Sequence, residues 1–172
     1  MSRCFNGIRQ LPPRTILPVT SMMTFLATAC GAQAQDLCAN IDYLIDQSRS
    51  KFAEVADNPN GDAGKHDATL TLAGASKCFV TKQSKRDWYQ CVWEFPYRAE
   101  RAYDTFDDFV GTMNECIGQH ATPHSDQSVN HPDYYSSRRY DMERAEVSVS
   151  VKDKAALGNT LVFIRVQSRD GG

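Results

Sequence analysis

Three of the chain's four histidines crowd into one stretch, His120, His124 and His131, with Asp126 and Asp133 among them. Imidazole and carboxylate are the ligands zinc and copper take, and His120 and His124 stand one helical turn apart. Pro123 lies between those two and works against a regular helix, and the spacing fits no metal-binding motif. His120, His124, His131 and Asp126 therefore form a candidate set for a metal-binding protein or a metal-dependent hydrolase, to be weighed against a plain solvated loop. Beyond that zinc or copper alternative, no cofactor is expected.

The same stretch continues as His131-Pro132-Asp133-Tyr134-Tyr135, then Arg138, Arg139 and Tyr140. Tyrosine and arginine each offer a broad contact surface ending in a polar group, which is why both are favoured at binding interfaces. Tyr134, Tyr135, Arg138 and Arg139 are thus candidate binding residues. The bland alternative is that the tyrosines tuck the segment onto the body of the protein while the arginines pair with surface acids. Trp88 joins the binding set because it opens an apolar strand whose other end is Tyr97, an arrangement that would line a groove for a glycan or peptide.

Nucleophile arrangements are absent from the sequence after the leader: there is no GxSxG, no glycine-rich phosphate loop and no HExxH. Ser48 and Lys51 match Ser-x-x-Lys, but no Lys-Thr-Gly follows, so the match reads as chance on a polar helix face. No catalytic residues are assigned.

The elements that must hold these residues begin after an export leader. Arg3, Arg9 and Arg14 precede an uncharged run from Thr15 to Cys30, which is followed by Ala32-Gln33-Ala34. Positive, apolar, then small is the order of a secretory signal, and it predicts a cleaved signal peptide over residues 1–34. A transmembrane anchor would need about 20 strongly apolar residues, and this run is diluted by Pro18, Thr20, Ser21 and Thr24, so no transmembrane span is expected. Leu26-Ala27-Thr28-Ala29-Cys30 also resembles a bacterial lipoprotein signal, which would leave a lipid anchor at Cys30. Either way the destination is periplasmic or secreted, or a membrane-anchored lipoprotein.

Four cysteines follow the leader, Cys38, Cys78, Cys91 and Cys116, and an even set in an exported chain reads as two disulfides. Cys78 and Cys91 fall on neighbouring strands of a predicted hairpin. Cys38 and Cys116 fall at the start of one helix and the end of another, which meet if the helices pack antiparallel. The expected pairs are Cys78–Cys91 and Cys38–Cys116. Without the three leader arginines the net charge falls from −2 to −5, which gives no electrostatic drive toward nucleic acid.

Residues 35–172 then read as one domain. Ile41, Leu44, Ile45, Phe52 and Val55 place a helix over 39–55, with Asp36 as its cap and a turn over 57–61. Residues 70–82 read as a strand broken near Gly74, and 88–95 as the clearest strand, with Tyr89, Cys91, Trp93 and Phe95 on one face. Ala102, Tyr103, Phe106, Phe109, Val110 and Met113 form a helical stripe over 99–117, and Gly118 stands where a left-handed terminator belongs. Residues 119–139 read as a long polar loop. Strands over 145–151 and 162–166 close the chain.

The predicted architecture is α+β: a two-layer sandwich in α-β-β-α-β-β order, with two antiparallel helices on one face of a mainly antiparallel sheet. The expected function is an exported, non-enzymatic binding module that engages a protein or an envelope polymer through residues 119–140 and the adjoining sheet.

Overall fold

The chain folds as two helices over an eight-stranded antiparallel sheet. A computed structural model describes residues 30–59, 64–83, 86–130 and 133–169. Of the leader expected over 1–34, residues 1–29 lie outside the described residues, as does His131.

Helix α1 runs Cys30–Gln47 and is followed by a short 3₁₀ turn, Ser48–Ser50. Strands β1 (Ala56–Pro59), β2 (Lys65–Ala68), β3 (Lys77–Thr81) and β4 (Trp88–Pro96) come next. Helix α2, Glu100–Cys116, leads into β5 (Thr122–Asn130), β6 (Asp133–Asp141), β7 (Ala145–Lys154) and β8 (Asn159–Ser168). The spatial order is β1-β2-β3-β4-β8-β7-β6-β5. Each half is one helix followed by a four-stranded meander, and the last strands of the two halves pair along nine residues, Trp88 to Pro96 against Gln167 to Asn159.

The order is therefore α-β-β-β-β-α-β-β-β-β, twice as rich in strands as predicted. The four unforeseen strands carry no apolar alternation to announce them. β1 and β2 are Ala-Asp-Asn-Pro and Lys-His-Asp-Ala, and β5 is polar along most of its length. What makes them strands is backbone pairing with a neighbour already in place. The loop expected over 119–139 is the β5–β6 hairpin, in register from Thr122↔Asp141 to Asn130↔Asp133. Polar side chains and Pro123 on β5 suit an edge strand, where unpaired backbone would otherwise invite another chain.

Four further expectations change. The first helix stops at Gln47 instead of Val55, because Ser48 Oγ donates to the Ile45 carbonyl at 2.6 Å and Ser50 Oγ to the Gln47 carbonyl at 3.1 Å. Such local bonds compete with the helical ladder. Lys51 and Phe52 then turn at φ 54° and 58°, and Phe52 is still fully buried, by a turn rather than a helix face. At the other end α1 already begins at Cys30, so Asp36 lies inside it and caps nothing. The strand expected over 70–82 begins only at Lys77. Residues before it bend at Gly74 (φ 74°), and their carbonyls are met by side chains: Tyr89 Oη donates to Leu70 O at 2.9 Å and Trp93 Nε1 to Ala73 O at 3.2 Å. Gly118 is needed for another reason than a left-handed turn, since a Cβ there would stand 2.4 Å from the Asn114 carbonyl oxygen.

Paired residues in an antiparallel sheet point to the same side, so the register assigns the faces. One face carries Val80, Tyr89, Cys91, Trp93, Val147, Val149, Val151, Val162, Ile164 and Val166, all buried. The helices add Ile41, Leu44, Ala102 and Met113 to the same cluster. Trp93 meets Phe109 of α2 with ring centroids 4.7 Å apart, and Tyr140 Oη donates to Asn114 Oδ1 at 2.8 Å. Burying each large aliphatic side chain contributes about 1.5–3 kcal/mol, and this covered face holds most of them.

Disulfides join Cys38 to Cys116, across the two helices, and Cys78 to Cys91, across the directly paired strands β3 and β4, where Cα–Cα is 4.1 Å. Among the described residues no helix is long and apolar enough to cross a membrane.

Candidate functional site

The opposite face of the sheet carries a different chemistry. Reading across the strands, one row is Trp88, Gln167, Glu146 and Asp141; the next is Phe79, Gln90, Arg165, Ser148, Arg139 and His124. A third holds Val92, Phe163, Ser150 and Ser137. None of these side chains belongs to the hydrophobic cluster beneath the helices. Gln90 and Val92 are buried under their large neighbours, while Trp88, Phe163 and Arg165 are half-buried.

Strand alternation splits the predicted binding set. Trp88, Tyr135 and Arg139 project from the uncovered face. Tyr134 and Arg138, one residue out of phase, belong to the helix side: Arg138 pairs with Val149, and the Tyr134 ring meets Tyr103 of α2 edge-on at 5.9 Å. Tyr134 thus takes the packing role that loop tyrosines often have.

The predicted metal set is dispersed. His124 and Asp126 are two apart on β5, His120 lies in the turn before that strand, and His131 falls outside the described residues. His124 Nε2 sits 3.1 Å from Asp141 Oδ2, and Asp141 also accepts from Arg169 Nη2 at 2.5 Å. Among the described residues no three His, Cys, Asp or Glu side chains gather into a metal-holding group.

On the uncovered face the charges form a mesh. Arg139 Nε lies 3.9 Å from both Asp141 and Glu146, and Arg169 Nη2 lies 3.9 Å from Glu146. Arg165 is held differently. Its Nε and Nη2 both donate to Gln90 Oε1, at 2.9 and 2.7 Å, and its guanidinium lies 5.2 Å from the centre of the Trp88 ring. Burial pushes its pKa down, while the fields of Tyr135 and Glu146 push back up. Beside it, Arg86, Glu146, Gln167 and Arg169 line a cleft of about 300 Å³. The arrangement can bind and orient a polar or anionic group.

Sequence reading missed Arg165, Gln90, Gln167 and Arg86. Arg165 and Gln167 alternate with Ile164 and Val166 on β8, the signal of a strand with one solvent-facing side, but nothing local says that Gln90, 75 residues away, will grip Arg165.

A second charged cluster lies on the covered side. Asp153, fully buried, accepts from Thr160 Oγ1 at 2.7 Å, from Tyr103 Oη at 2.9 Å and from Arg98 Nε at 3.3 Å. Every partner is internal, so the cluster reads as a tie between the start of α2 and the sheet.

Compared with known proteins, the chain matches no family model, no curated protein and no solved structure.

Proposed function

We propose that this protein is an exported, non-enzymatic binding module that engages a protein or an envelope polymer through its uncovered sheet face. The observation that carries the reading is the contrast between the two sides of one sheet. One side is sealed by helices and apolar packing. The other presents an aromatic ring with one guanidinium 5.2 Å from its centre, an amide bonded to that guanidinium, and a polar cleft. Two disulfides support the oxidising setting that an export leader over 1–34 would deliver.

The β5–β6 hairpin contributes to this surface through Tyr135 and Arg139, in place of the long polar loop the sequence suggested. Replacing Trp88, Tyr135 and Arg139 together by alanine should abolish capture of an envelope component that the native protein retains, with the unfolding midpoint almost unmoved. Retained capture by the triple variant would show that the contact surface lies elsewhere. Mass spectrometry of the N-terminus in native material tests the compartment: Gln35 marks a processed soluble form, a diacylglyceryl mass on Cys30 an anchored one, and an intact Met1 ends the export reading.

A further inference from the structure

The geometry points to an acidic oligosaccharide as the ligand of this face, bound through its carboxylates, with Arg165 as the anchoring cation. The inference rests on the binding reading above and narrows it to one chemistry.

Arg165 sits at the centre of the sheet, on β8 between β4 and β7, drawn away from water and yet without a carboxylate within ion-pair distance among the described residues. Its close partners are neutral: the Gln90 amide and the Trp88 ring. Cations set this far into a protein are ordinarily matched by an anion. Here the amide and the ring fix the plane of the guanidinium, and Gln90 uses Nε and Nη2, so Nη1 has no protein partner among the described residues. A planar, pre-oriented fork with unused donors is what a carboxylate needs.

The surroundings extend the match. Arg86 lines the neighbouring cleft and has no ion-pair partner among the described residues. On and beside these rows stand Arg86, Arg139, Arg165 and Arg169, with Asp141 and Glu146 among them and Asp126 farther out on β5, so the part of the face around Arg165 is cationic on a chain whose net charge is −2. Those two acids are already shared between Arg139 and Arg169.

Position in the sheet selects a sugar over a peptide. β4, β7 and β8 are interior strands with their backbone groups paired on both sides, so an extended peptide cannot add to them. Only side chains face the ligand: the Trp88 ring, suited to stacking on a pyranose ring, and the Gln167 amide, suited to bonding its hydroxyls, while the buried Gln90 holds Arg165 in place. Arg169 follows the last residue of β8, four residues beyond Arg165 and about 13 Å along an extended chain, so one ligand touching both must be an oligomer.

The test uses the full processed protein and titration calorimetry with oligogalacturonate of four to six residues, its fully methyl-esterified counterpart, and oligoglutamate. Oligogalacturonate should bind with an affinity that falls as salt rises, and esterification should weaken it at least tenfold. Arg165→Met should cost at least tenfold and Arg86→Ala, an exposed change with no internal partner to lose, about threefold or more. Equal binding of ester and acid overturns carboxylate recognition. Binding of oligoglutamate in preference to the sugar acid overturns the choice of sugar. Binding by none of the three probes, while the Trp88, Tyr135 and Arg139 triple variant loses its captured envelope component, defeats the sugar-acid inference and leaves the binding face standing; retained capture defeats both.

Discussion

Asp153 and Arg165 stand on opposite faces of one sheet, and each is a charge drawn out of water. Asp153 has its cation and two hydroxyl donors within the protein, from α2, from the loop before it and from β8. Arg165 has an amide and an aromatic ring. The first charge is closed by the fold and serves stability. The second is positioned by the fold with no carboxylate in ion-pair contact among the described residues, although the field of Glu146 reaches it. Side chains on the covered face should therefore govern unfolding, and side chains on the open face should govern binding.

The covered side can be attacked first where the effect is largest. Replacing Cys38 and Cys116 by serine removes a bond spanning 78 residues, and the chain-entropy model puts its loss at about 4.5 kcal/mol in denaturant unfolding. Neighbouring residues on β8 give the sharpest contrast. Ile164→Ala, fully buried, should cost about 3 to 4 kcal/mol, while Arg165→Met, one residue on but facing the other way, should cost about 1 to 2 kcal/mol, set by the buried Gln90 amide it leaves unbonded. A large loss for Arg165→Met would make that arginine a structural tie and remove the contrast between the faces. Asp153→Ala strands Tyr103 and Arg98 and should cost about 2 to 3 kcal/mol, below the usual range for a fully buried pair because Arg98 is half in solvent.

The smallest effect is one of pH. The Tyr103 hydroxyl is pushed from 10.0 to about 12 by burial first, then by its hydrogen bond and charge interaction with Asp153, with Arg98 opposing. A folded-state pKa above the unfolded one gives stability that is complete below pH 10 and is lost as pH climbs toward about 12. Unfolding midpoints measured across that window should fall for the native protein, and Tyr103→Phe should flatten the fall.

Much of the covered side was legible because periodicity is a local property. The stripe from Ala102 to Met113 announced α2, and the alternation of Val147, Val149 and Val151 announced β7. The hairpin reading of β3 and β4 brought Cys78 against Cys91. The same method failed for β1, β2, β5 and β6, whose residues do not alternate in polarity, and it mistook the end of α1, where serine hydroxyls and two left-handed residues overrule a continuing apolar stripe. It named Trp88, Tyr135 and Arg139 as candidates, and it grouped Tyr134 and Arg138 with them because a loop has no faces and a strand does.

From the sequence alone came the α+β class, the principal helix and central strands, and the pairing of four cysteines, all set by spacings that short stretches of chain enforce. Only the tertiary structure decided that the polar segment after α2 is a hairpin, that β4 lies against β8, and that Gln90 and Trp88 hold Arg165, which lies 75 residues beyond Gln90. Those outcomes depend on which backbone edges remain unpaired once the covered face has formed, and that is a property of the assembled sheet rather than of any segment in it.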